Sequence, residues 1–202
     1  MDKETLIGKL NWFYSLELNQ VDYYNAQSKS FKGRYSSLVL ERCAEIEQGH
    51  VDNISQKIKG LGSKPTKLGD VISPIIGRTA GELISLTGLE DTLTVNILLE
   101  QKAMKDYNDL IAKLHQDQFG DQELIKLLQN NFIDEQLHTE WFRTKIIALK
   151  QYEFTVKHFK TKAHTHRENP AANAIIESTF RPEREQKRAK TIQPQRAKTI
   201  MP

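Results

Sequence analysis

The chain has 202 residues, of which 38% are hydrophobic and 27% charged, and a formal net charge of +3. That composition suits one sizeable core with a polar surface, and no run reaches the roughly eighteen uninterrupted apolar residues of a membrane-spanning helix. The polar start Met1-Asp2-Lys3-Glu4 lacks the apolar stretch of a secretory leader, and a lone cysteine, Cys43, forms no internal disulfide, so a cytoplasmic protein is expected.

Four amphipathic helices are predicted in chain order. The first carries the stripe Leu6, Leu10, Phe13, Glu17, Val21, Tyr24, and the second Val39, Cys43, Ile46, Glu47, His50, Ile54, Ile58. The third carries Leu93, Asn96, Glu100, Ala103, Tyr107, Leu110, Leu114, and the fourth Leu124, Leu128, Asn131, Glu135, His138, Phe142, Ile146. Short joints at residues 29–33 and 116–120 make each pair an antiparallel hairpin. Between the hairpins, residues 60–86 carry Gly60, Gly62, Pro65, Gly69, Pro74, Gly77 and Gly81, and this segment can return along a helix about 38 Å long. Within it, Val71, Ile72, Ile75, Ile76, Leu83 and Ile84 suggest a short covering helix.

After the fourth helix, Tyr152 to Lys162 is expected to form a short fifth helix, which closes a first domain of residues 1–162. Residues 163–202 read as a flexible basic tail, because they are polar, bear prolines and hold too few large apolar side chains for a core. From residue 157 onward the chain carries 11 Lys and Arg against 4 Asp and Glu, a net of +7, which leaves the first 156 residues at −4. Interleaved aromatics and a reading helix are missing from the tail, so no nucleic-acid partner is expected. It does contain a duplicated word, Arg188-Ala189-Lys190-Thr191-Ile192 and Arg196-Ala197-Lys198-Thr199-Ile200. Tandem copies raise effective concentration at a protein partner or shell compartment, and a solvated extension without function is the bland alternative. The loose group His158, His164 and His166 lacks carboxylate or thiol partners and reads as a solvated linker.

Chemistry concentrates in six positions. Glu47-x-x-His50 and Glu135-x-x-His138 each place a carboxylate and an imidazole one turn apart on one helix face, and the first and third helices each add a glutamate, Glu17 and Glu100. All six sit at apolar positions of their stripes. Burying four carboxylates together without cations would cost many kcal/mol, and Arg42, Lys102 and Lys105 fall off the stripes. Two divalent ions would roughly cancel the charge. This ligand set is that of the ferritin-like two-metal carboxylate proteins, and it predicts an all-α, ferritin-like four-helix bundle with one long crossover between helices 2 and 3. Mixed carboxylate and imidazole ligation suits two Fe ions, with Mn the alternative. Glu47 and Glu135 are the natural bridges, and Glu17 and Glu100 the terminal ligands.

The same spacing, with Lys64-Pro65-Thr66-Lys67-Leu68 after helix 2 and Leu86-Thr87-Gly88 before helix 3, resembles the demethoxyubiquinone hydroxylase family from about Leu6 to Leu149. The resemblance implies that Tyr107, seven residues after Glu100, lies near the di-iron centre as a catalytic side chain. It further implies reductive O₂ activation, hydroxylation of a quinone-like ring, and electrons from NADH. The chain departs from that family's pattern at Tyr14-Ser15-Leu16-Glu17-Leu18-Asn19, where the family carries an Asp-His-Ala-Gly-Glu-like word, and at Lys105-Asp106, where it carries a histidine pair.

The expected function is therefore a di-iron oxidoreductase that hydroxylates a quinone-like or other apolar substrate, served by NADH or a reductase. The alternative is a ferroxidase or peroxide-scavenging protein of rubrerythrin or manganese-catalase type, delivered to a shell by its tail. A homo-oligomer is compatible with both.

Overall fold

A computed structural model describes residues 1–76, 88–117 and 121–165, with side chains except those of residue 76 and of residues 159–165. The described residues form five helices and no strand: α1 (Lys3–Ser30), α2 (Tyr35–Gly60), α3 (Ile72–Ile76), α4 (Leu89–Gln116) and α5 (Gln122–Thr165). Local chemistry sets their ends. Asp2 caps α1 by accepting from the Thr5 amide at 2.7 Å and the Thr5 hydroxyl at 2.8 Å. Gly33, at φ +86°, makes the left-handed turn into α2, and Gly62, at φ +76°, follows its end. Asp121 accepts from the Leu124 amide at 2.9 Å and opens α5.

The chain divides into two compact units, Met1–Glu153 and Phe154–Pro202. The first unit holds the bundle, and pairings at helix ends give its topology. The Met1 ammonium meets Asp117 at 2.6 Å, which sets the start of α1 beside the end of α4. Lys57 pairs with Asp121, joining the end of α2 to the start of α5, and Lys150 meets Glu90 at 3.0 Å, so α5 runs back along α4. Neighbouring helices are therefore antiparallel, and the end of α2 and the start of α4 lie at opposite ends of the bundle.

The first part of that crossover lies along α1 and is held by one polar stripe. Asn11 accepts from the Thr66 amide at 2.8 Å, Ser15 Oγ from the Leu68 amide at 2.8 Å, and Asn19 from the Val71 amide at 2.9 Å. The short helix α3 then packs on α1 and α4. Leu83 and Ile84, expected to continue it, lie outside the described residues.

Leu6, Leu10, Phe13, Leu40, Ile54, Ile58, Leu93, Leu99, Leu114, Leu124, Leu128 and Phe142 form the apolar core. On α1 the buried side chain after Glu17 is Gln20, while Val21 is half-buried, so that stripe turns one residue earlier than expected. Arg42 and Lys105 are exposed and Lys102 is half-exposed, paired with Glu45, Asp109 and Asp106.

The expected fifth helix at Tyr152 to Lys162 is no separate element. It is the continuation of α5, because no proline or glycine interrupts residues 122–165. In the second unit, Phe154 stacks on His158 with ring centroids 6.1 Å apart. Residues 166–202, with His166 and both copies of the repeat, lie outside the described residues, as does the His164 side chain.

Candidate metal centre

The structure brings all six sequence-predicted positions together in the middle of the bundle. Glu17 comes from α1, Glu47 and His50 from α2, Glu100 from α4, and Glu135 and His138 from α5. The four glutamates are 0% exposed, His50 3% and His138 5%. They fall into two groups of four, Glu17, Glu47, His50 and Glu135 on one side and Glu47, Glu100, Glu135 and His138 on the other. Within each group, one donor atom from every residue lies within 4.8 Å of the others. Glu47 and Glu135 belong to both.

The donor atoms face one another without bonding. His50 Nδ1 is 2.9 Å from Glu47 Oε2 and 3.4 Å from Glu135 Oε1, and His138 Nδ1 is 3.1 Å from Glu47 Oε1 and 3.4 Å from Glu135 and Glu100. Yet Glu17 Oε2, both oxygens of Glu47 and of Glu135, and both Nδ1 atoms are buried with no aligned hydrogen-bond partner. Buried polar atoms are normally satisfied, and orphans clustered in one place require an explanation. Lone pairs from carboxylate and imidazole converging at two points fit a pair of cations.

The electrostatics agree. Burial, then the charges of Glu135 and Glu47, raise the Glu17 pKa well above the ordinary carboxylate value. Burial, then Glu135, push Glu100 up to about 8. Burial works to lower the His50 pKa, but the facing Glu135 and Glu47 carboxylates outweigh it and drive it up to about 12. His138 is also raised, against burial, by the neighbouring Cys43 thiol and then by the carboxylates of Glu100, Glu135 and Glu47. Without cations, the site holds itself together by keeping protons.

Around this set lies a ring of hydrogen-bonding side chains, all buried except Asp134. Tyr107 donates to Glu17 Oε1, stacks on Phe13 with centroids 4.1 Å apart, and accepts from Asn131 Nδ2 at 3.0 Å. Tyr24 donates to Glu100 Oε1, and Gln20 Nε2 donates to Glu100 Oε2 at 3.0 Å. Asp134 Oδ2 meets His50 Nε2 at 3.1 Å. Sequence reasoning found Tyr107 but missed the roles of Tyr24, Gln20 and Asp134. One signal was available: Tyr24 follows Glu17 by the same seven residues that separate Tyr107 from Glu100, and each tyrosine reaches the glutamate of the other hairpin.

Comparison with known proteins supports this geometry from outside. The family described as ubiquinone biosynthesis protein COQ7 matches residues 17–165, which hold all six positions. Among solved structures, the chain is similar to the bacterioferritin of Desulfovibrio desulfuricans, a protein with a di-iron site seen in different catalytic states. That likeness has a TM-score of 0.59 at 21% identity and covers 74% of this chain and 82% of the bacterioferritin, which establishes the ferritin-like fold. No curated protein matches the chain.

Proposed function

The chain belongs to the family of ubiquinone biosynthesis protein COQ7, and on that premise we propose that it is a di-iron oxidoreductase that activates O₂ and hydroxylates an apolar, quinone-like ring. The observation that carries the proposal is the set of orphaned donor atoms in two buried groups sharing Glu47 and Glu135. Glu17 and His50 would hold one ion, Glu100 and His138 the other, and Glu47 and Glu135 would bridge them. Four carboxylates against two divalent cations leave the buried site close to neutral. Bound there, iron supplies electrons to O₂ and the Lewis acidity that polarises it.

The rest is done by the chain's own side chains. Burial, then the Glu17 carboxylate, push the Tyr107 hydroxyl well above its ordinary pKa, so it keeps its proton and donates it in a hydrogen bond to Glu17 Oε1. Asn131 fixes that hydroxyl from the other side, so Tyr107 is held in place to act as a proton donor beside Glu17. Phe13, Leu16, Leu99 and Phe142 exclude water around the set. Each turnover consumes O₂, two electrons and two protons, and yields the hydroxylated ring and water, with NADH or a reductase as the electron source. A cytoplasmic location belongs to the same reading, in keeping with the buried free thiol of Cys43. Among the described residues no helix is long and apolar enough to cross a membrane.

A second reading draws on the polar neighbours Gln20 and Asn131, which suit small polar molecules: oxidation of Fe²⁺, or removal of peroxide at iron or manganese. Anaerobic loading with Fe²⁺, followed by O₂ with and without a soluble quinol, separates the two. Hydroxylated quinol is the expected product. Ferric mineral or peroxide loss without any hydroxylated product would replace the first reading by the second.

A further inference from the structure

We infer that the two metal positions are unequal, with the Glu17 and His50 position holding its ion more tightly than the Glu100 and His138 position. The inference rests on the two-metal reading above and adds an order to it. The shared ligands Glu47 and Glu135 cannot make the difference, so it must come from the terminal glutamate, the histidine and what each of these touches.

The glutamates differ first. Glu17 accepts one hydrogen bond, from Tyr107 at Oε1, and its Oε2 is buried and free to face a cation. Glu100 accepts at both oxygens, from Tyr24 at Oε1 and from Gln20 Nε2 at Oε2, 3.0 Å away. Each donor draws on lone-pair density that a cation would otherwise use and holds the carboxylate in one orientation. Ligation by Glu100 therefore competes with two hydrogen bonds, and ligation by Glu17 with one.

The histidines differ in the same sense. Asp134 faces His50 Nε2 at 3.1 Å, an acceptor that keeps the proton on Nε2, leaves Nδ1 free for the ion, and makes the imidazole a stronger base. Its negative charge also lies on that side of the site. His138 Nε2 is buried with no hydrogen-bond partner, and the side chain beside the ring is the Cys43 thiol. A thiol is a weak acceptor, much poorer than the carboxylate that faces His50. Glutamate and histidine thus point to one tight position and one exchangeable position, filled in that order.

The test is an anaerobic calorimetric titration of the full chain with Fe²⁺, with bound metal counted after dialysis. Two steps are expected, the second at least about tenfold weaker, the size of effect that partners of metal ligands commonly exert. Asp134→Asn weakens the first step by about tenfold and spares the second. Because the Asp134 side chain is 39% exposed, this variant should fold, and its helical circular dichroism verifies that it has. His138→Gln leaves one tight ion, whereas His50→Gln leaves one weak ion. Two ions bound with constants within about threefold of each other overturn the inference, as does an Asp134→Asn first step equal to the parent's. Both results leave two bound ions, and so leave the two-metal reading standing. No Fe²⁺ bound at millimolar concentration overturns that reading and the inference with it.

Discussion

Tyr24 and Tyr107 place the same hydroxyl against the two terminal glutamates, and both rings are packed, Tyr24 against His138 and Phe142 and Tyr107 on Phe13, but it is the Tyr107 hydroxyl that also accepts a hydrogen bond, from Asn131. Tyr107→Phe should therefore keep two ions bound and slow the reaction of the Fe²⁺-loaded protein with O₂ by about tenfold to a hundredfold, at the low end of what a positioned acid contributes. Stopped-flow absorbance reads this directly, and an unchanged rate removes Tyr107 from the proton path. Glu100→Ala takes away a donor from one position and should lower bound metal below two ions per chain, read by metal analysis after dialysis. A variant that still holds two ions strikes Glu100 from the ligand set. The convergence of the six carboxylate and imidazole side chains was legible in the sequence because a Glu-x-x-His word on an apolar stripe contradicts the stripe, and buried charge of one sign calls for protons or cations to offset it. Gln20 and Asp134 were not legible, since each matters through a partner on another helix: Gln20 on α1 meets Glu100 on α4, and Asp134 on α5 meets His50 on α2. Neither contact leaves a mark on the periodicity of its own segment.

At the scale of elements, the helices announced themselves through their 3.6-residue stripes, while the crossover did not. Asn11, Ser15 and Asn19 recur every four residues on α1, off the apolar stripe. They are in fact a ladder that supplies acceptors to three backbone amides of an extended strand-like segment with no sheet to pair with. Asn11→Ala and Asn19→Ala should each cost about 1 kcal/mol, the net value of one such hydrogen bond, measured by urea denaturation. Hydrogen exchange offers a sharper reading, because the amides of Thr66 and Val71 should lose protection while those at the centre of α2 keep it. The end of α5 shows the reverse weakness of sequence reading. The short fifth helix expected over Tyr152 to Lys162 is part of α5, since no glycine or proline stops the helix there.

For the whole molecule, the buried carboxylates make stability depend on metal and pH together, in opposite senses. Glu100 in the metal-free protein has its pKa raised to about 8, and Glu17 is raised too. A carboxyl group with a folded pKa above its unfolded value stabilises the fold at low pH, and that contribution disappears as pH rises through the folded pKa. The metal-free protein should therefore melt at lower temperature at pH 8.5 than at pH 5.5. His50, raised to about 12, keeps its proton across that range and does not reverse the trend. Cations need the same groups deprotonated, so loading must expel protons from Glu17, Glu100, His50 and His138, and affinity climbs with pH. Since a ligand that binds only the folded state stabilises it in proportion to the logarithm of its affinity, the melting temperature of the loaded protein should rise where that of the metal-free protein falls. The gap between them, measured by thermal denaturation with Fe²⁺ under argon and with a chelator, should widen steadily from pH 5.5 to 8.5. Calorimetry in two buffers of different ionisation enthalpy should show proton release on loading at pH 7. A gap independent of pH, or loading without proton release, would mean that the six side chains do not trade protons for metal and that the bundle is held together in some other way.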